Sequence, residues 1–224
     1  MICMKKSCIA FTLAEVLITL LIIGIVASLV IPAIINDSKE AEYNTGVKKA
    51  YADLSNALKM IQINNGGVVN VGTGANFGLR NEFCNLMSCV KTDTLENIFN
   101  AGNYRFYKGS IINWSSYYAY PAAVLNNGYL INFRSYVDCN QYDVNACGFI
   151  KIDINGYKLP NMLGKDLYFF WITKNDNGYY SILPGGTNGD SNAPLPSGCT
   201  TGSNSWATSD GCTAKRLNDP DNMP

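Results

Sequence analysis

Apolar and polar positions divide the 224-residue chain into distinct regimes. Near the amino terminus the apolar residues are continuous. From Val16 to Ile35 there are twenty positions without a charge, rich in Ile, Leu and Val. Twenty helical residues rise about 30 Å, which matches the hydrocarbon thickness of a bilayer. From Asp37 to about Asn64 the pattern becomes amphipathic. Tyr43, Val47, Tyr51, Leu54, Leu58 and Ile61 recur at three- and four-residue steps, which predicts a core-facing helical stripe. Lys48, Lys49, Asp53, Asn56, Lys59 and Gln62 occupy the other faces, and Asn65-Gly66-Gly67 is a strong stop. The expected spine from Phe11 to Asn64 is about 80 Å long, broken or bent near Pro32.

Residues 66–78 are Gly-rich and read as a loop, and short helical patterns follow at Phe77–Val90 and Thr94–Phe99. Strand patterns then take over. Ala122–Leu125 and Tyr129–Phe133 flank Asn126-Asn127-Gly128, a tight-turn sequence between two alternating runs. Phe149–Ile154 reads as a strand ended by Asn155-Gly156. A second hairpin is expected where Leu167–Thr173 and Tyr179–Leu183 flank Asn175-Asp176-Asn177-Gly178. From Pro184 onward the chain is rich in Gly, Ser, Asn and Pro, a long surface segment. The sum is an α+β fold: a long amino-terminal helix, membrane-spanning and then amphipathic, packed on an antiparallel sheet.

Composition narrows the chemistry. Seventeen Lys and Arg balance seventeen Asp and Glu, so no sustained positive field exists to favour nucleic acid. There is no histidine, which removes His-based triads, Cys–His dyads and imidazole metal sites. No nucleophile–base spacing stands out, and an enzyme is not expected. Lys5 and Lys6 precede the apolar run and few basic residues follow it closely. The positive-inside rule leaves the first ten residues in the cytoplasm and sends the remainder across.

The edge of the apolar run carries one carboxylate, Glu15, where a charge within the hydrocarbon is costly. Thr12 three residues before it forms a capping-box pair, which satisfies free amides at a helix start. A cut between Ala10 and Phe11 would place a new α-amino group four residues from Glu15. An amine and a carboxylate on neighbouring subunits could then neutralise each other inside an apolar bundle. Lys5-Lys6, a short leader ending in a small residue, then Phe11-Thr12-Leu13-Ala14-Glu15-Val16-Leu17 and a long apolar helix resemble the prepilin signature. Type IV pilins and the pseudopilins of type II secretion share it.

The resemblance spans about Lys5 to Asn36. It implies a leader at 1–10, an assembly and transmembrane helix at 11–36 and an extracytoplasmic globular domain at 37–224. It implies cleavage between Ala10 and Phe11 by prepilin peptidase, N-methylation of Phe11 and a role for Glu15 in filament assembly. Ala10 stands where the family nearly always has Gly. The implied partners are other pilin or pseudopilin subunits and the inner-membrane assembly platform, in a homo- or hetero-oligomeric filament that is periplasmic or on the cell surface. The implied location is the bacterial inner membrane, crossed once with the amino terminus cytoplasmic. The segment Cys147 to Pro184 also resembles a stretch found in pilin-like and type II secretion proteins. An alternative reading is a membrane-tethered or pilus-tip binding module.

Outside the leader the cysteines fall in close pairs: Cys84 with Cys89, Cys139 with Cys147, and Cys199 with Cys212. Six cysteines allow fifteen connectivities. Nearest-neighbour pairing is the simplest and closes three small loops. A bond between Cys84 and Cys89 requires the helix to end or bend there. Asp153, Asn155 and Asp166 have the flavour of calcium ligands, because Asp-x-Asn-Gly begins like a calcium loop. No Glu follows at the EF-hand spacing, Pro160 intrudes, and turn chemistry alone explains Asn155-Gly156. No other cofactor is expected. Tyr117, Tyr118 and Tyr120, and the run Tyr168-Phe169-Phe170-Trp171, suggest a sugar- or peptide-binding face. Alternation within a half-buried strand is the commoner cause of such a run.

Overall fold

The computed structural model describes residues 12–72, 77–99, 103–107, 109–136, 138–140, 145–187, 199 and 211–223. Helix α1 runs Leu13–Asn64 and is followed by α2, Phe77–Met87. Strand β1, Cys89–Thr94, leads directly into the short helix α3, Leu95–Phe99. Strands β2 (Pro121–Leu125), β3 (Leu130–Ser135), β4 (Ala146–Asp153), β5 (Leu167–Lys174) and β6 (Tyr180–Pro184) come next. Helix α4, Gly211–Asn218, closes the described chain with a short 3-10 turn at Pro220–Asn222. The chain divides into two compact units, Met1–Glu42 and Tyr43–Pro224.

The second unit is an antiparallel meander in the order β1-β2-β3-β4-β5-β6. Each strand pairs with its sequence neighbour, so short turns suffice and no crossover is needed. Gly128, at φ +85°, supplies the left-handed residue of the β2–β3 turn, and its N–H donates to the Leu125 carbonyl at 2.9 Å. The two sheet faces carry separate cores. One face (Ala123, Ile131, Phe133, Ile150, Ile152, Phe170 and Ile172) packs with Tyr43, Val47, Leu54, Leu58 and Ile61 of α1. The Tyr51 ring stacks on Phe170 with centroids 6.0 Å apart. The opposite face buries Leu130, Phe149, Phe169 and Trp171 beneath α3, Tyr104, Ile112 and Trp114.

The long helix, the antiparallel sheet and both hairpins match the α+β expectation. Three expectations need correction. Pro32 does not break the helix, because α1 runs through it; proline removes one N–H, here the donor to the Ser28 carbonyl, without ending the ladder. The helical pattern expected over Phe77–Val90 stops at Met87, where Ser88 adopts φ +57° and the chain reverses into β1. The polar segment after Pro184 contains α4, whose eight residues are too few for a helical period to stand out in the sequence. The run Tyr168–Trp171 follows the strand alternation expected of it, with alternate side chains on the two sheet faces and all four buried.

Candidate functional site

The first candidate is the amino-terminal part of α1. The Thr12 N–H and hydroxyl each donate to Glu15 Oε2 at 2.8 Å, and the Glu15 N–H donates to Thr12 Oγ1 at 3.2 Å. That is the reciprocal capping box, which satisfies amides that lack a carbonyl partner at a helix start. Beyond it, every Leu, Ile and Val from Leu13 to Ile35 is exposed. Hydroxyls on this stretch turn back to the backbone: Thr19 donates to the Val16 carbonyl at 2.9 Å and Ser28 to the Ile25 carbonyl at 2.7 Å. No polar side chain there other than Glu15 then asks for water. Burying one such aliphatic side chain stabilises by about 1.5–3 kcal/mol. The segment therefore suits an apolar environment that the described residues do not provide. It is long and apolar enough to cross a membrane, and none of its apolar window is buried within the chain.

Ala10 and Phe11, the expected cleavage and methylation positions, lie outside the described residues. The structure places Glu15 and its cap at the start of α1.

Asp153, Asn155 and Asp166 are brought together at the end of β4 and the start of β5. Asp153 Oδ1 accepts from the N–H groups of Asn155 and Gly156, both at 2.9 Å, and its Oδ2 accepts from the Tyr104 hydroxyl at 2.5 Å. Asp166 Oδ2 accepts from the Asn161 N–H at 2.7 Å and from Asn155 Nδ2 at 3.1 Å, and its Oδ1 accepts from the Met162 N–H at 2.6 Å. All four carboxylate oxygens are thus engaged by protein donors, and both side chains are buried. The arrangement pins the loop 154–166 across the end of the sheet. Burial, and next the neighbouring Asp166, push the Asp153 carboxyl up to about 8, against the pull of its three donors. Burial likewise raises Asp166, opposed by the N–H groups of Met162 and Asn161. Tyr104 is raised by burial and then by Asp153. Sequence spacing pointed to these acids but not to Tyr104, which lies 49 positions before Asp153 and meets it only through the sheet.

Among the described residues three disulfides are present, each closing a short loop. Cys84–Cys89 joins α2 to β1, made feasible by the left-handed Ser88 that brings the two Cα atoms to 4.9 Å. Cys139–Cys147 ties the β3–β4 connection to the start of β4. Cys199–Cys212 fastens the chain before α4 to that helix.

A family model for the prokaryotic N-terminal methylation motif matches residues 5–31, the signature of type IV pilins and pseudopilins. No match was found among curated proteins or among solved structures. The motif and the unburied apolar helix support a type IV pilin-like or pseudopilin precursor with a membrane anchor.

Proposed function

We propose that this chain is a filament subunit of a type IV pilus-like assembly or a type II secretion pseudopilus. Prepilin peptidase cuts between Ala10 and Phe11 and methylates the Phe11 amine. The helix 11–36 holds the subunit in the inner membrane with the leader cytoplasmic, and the domain 37–224 lies outside the cytoplasm. Other subunits and the inner-membrane assembly platform are its partners, and the filament is periplasmic or on the cell surface. One observation carries this reading. Where the motif at 5–31 overlaps α1, every Leu, Ile and Val of the helix is exposed, and its first turn holds a single carboxylate.

The physical logic is transfer from lipid to protein. Leaving the membrane exposes the apolar helix to water unless other copies cover it, so extraction and packing into a helical bundle must be coupled. Glu15 gives that packing a register, because a carboxylate in an apolar bundle is stable only beside a positive group such as a neighbour's Phe11 amine. The test is mass spectrometry of the amino-terminal peptide of the envelope-extracted protein. A peptide beginning at methylated Phe11 is expected. A chain that still begins at Met1 would overturn the processing and leave a simple membrane anchor.

A further inference from the structure

The sheet face turned away from α1 carries two cations among aromatic rings. Pairing sets Arg134 opposite Phe149 and Asn132 opposite Lys151, which places both cations on this face. The Arg134 guanidinium carbon lies 5.1 Å from the Tyr136 ring centroid, 5.2 Å from Tyr120, 5.6 Å from Tyr117 and 5.7 Å from Phe149. The Lys151 ammonium lies 4.7 Å from Tyr117 and 4.6 Å from Phe149, so the same two rings serve both cations. Lys151 is only 2% exposed, whereas Arg134, Tyr117, Tyr120 and Tyr136 are half-buried.

Rings stabilise a guanidinium through its flat face and leave its N–H edge without acceptors. The two buried arginines are held differently. Arg80 donates to Asn81 Oδ1 and to the Asp93 carbonyl, and Arg216 to Asn44 Oδ1 and to the Gly164 carbonyl. The Arg134 guanidinium has rings as its partners and no hydrogen bond or ion pair among the described residues. A fork of donors is thus held rigidly by four rings at a half-open rim, with a second fixed positive charge behind it.

We propose that Arg134, framed by Tyr117, Tyr120 and Tyr136, binds the carboxylate of an acidic saccharide, a uronate. The planar fork matches a carboxylate bidentately. The Tyr117 and Tyr120 rings, with centroids 5.6 Å apart and planes at 63°, form two walls against which the C–H face of a sugar ring packs. A neutral sugar leaves the fork unpaired, and a peptide carboxylate lacks the flat apolar face that the walls fit. The site belongs to the globular unit and does not depend on filament assembly.

The test titrates the full chain in detergent with a short oligogalacturonate, with the corresponding neutral galactose oligomer, and with an acidic peptide. Calorimetry gives the affinities, and the arginine Nε–H resonance, assigned with R134K, reports contact at the site. The expected result is binding of the uronate with a shift of that resonance. R134Q should lose at least about tenfold in affinity, and R134K should lose most of it, because lysine keeps the charge but not the fork. Should R134Q melt early, the wild-type resonance decides alone. No uronate-dependent shift, equal affinity for the neutral oligomer, or tighter binding of the acidic peptide would each overturn the assignment.

Discussion

The Arg216 guanidinium donates to Asn44 Oδ1 at 2.9 Å, joining residues 172 positions apart in the chain. The same side chain donates to the Gly164 carbonyl at 3.2 Å and is fully buried. One residue of a polar carboxy-terminal helix therefore fastens both α1 and the loop before β5. Replacing Arg216 with Met removes both bonds and leaves the buried Gly164 carbonyl and the half-buried Asn44 Oδ1 without this donor. A loss of about 2–4 kcal/mol is expected, a fall in Tm of roughly 5–15 °C for a domain of this size. Thermal melts in detergent check it, and a change below about 1 °C would show that α4 contributes little.

Gly164 sits beneath the same helix at φ +87°, where an added Cβ would fall 2.5 Å from the Cβ of Cys212. Gly164→Ala combines backbone strain with a clash against a disulfide-held atom. It should destabilise by about 1–3 kcal/mol, measured by chemical denaturation. Wild-type stability in that variant would mean that α4 shifts freely.

The third disulfide can be removed by the double change Cys199→Ser, Cys212→Ser. The bonded residues are 13 apart in sequence, and the chain-entropy model assigns such a loop about 3 kcal/mol. A loss of stability of that order, a fall in Tm of roughly 6–12 °C for a domain of this size, is expected without loss of membrane insertion.

Stability should fall as pH rises through about 8. The Asp153 carboxyl is raised in the folded state to about 8 and titrates near 3.9 when unfolded. The folded chain therefore holds the extra proton between those values. Its contribution is fully present below about pH 4 and is lost as pH climbs through 8. Melts at a series of pH values should show a decline of a few kcal/mol between pH 5 and 9, and Asp153→Asn should flatten it. A flat wild-type profile would show that the donors from Tyr104, Asn155 and Gly156 keep the group ionised throughout.

Those donors also bear on calcium. With each carboxylate oxygen of Asp153 and Asp166 accepting a hydrogen bond, the loop is complete without a cation, and a chelator should leave Tm unchanged. A rise of several degrees in millimolar calcium would instead place the ion among these oxygens.

Glu15→Gln keeps an acceptor for the Thr12 N–H and so preserves the cap. Membrane insertion should be normal while filament yield falls at least about tenfold, the equivalent of ~1.4 kcal/mol per subunit contact. Normal filaments from this variant would defeat the proposed charge pairing.

The features legible in sequence were those set by local period and by turn chemistry. The uninterrupted run Val16–Ile35 and the stripe from Tyr43 to Ile61 declare a helix because 3.6 residues per turn leave no other way to gather those side chains. Asn126-Asn127-Gly128 declares a hairpin because glycine accepts the left-handed turn. Strand β1 was not legible: Val90 extends the preceding helical period, and only pairing with β2 and the reversal at Ser88 make Cys89–Thr94 extended. Helix α4 was hidden for a related reason. Its stability comes from Cys199, Asn44 and the Gly164 carbonyl rather than from its own eight residues.

By itself, then, the sequence determined the membrane-length helix, its capped carboxylate, the prepilin-type start and the α+β class, since each is written in neighbouring residues. Tertiary structure decided which cations meet which rings, that Tyr104 closes on Asp153, and that Arg216 reaches Asn44. Those contacts depend on strand register and on distances set by the packed sheet, where residues far apart in the chain become neighbours.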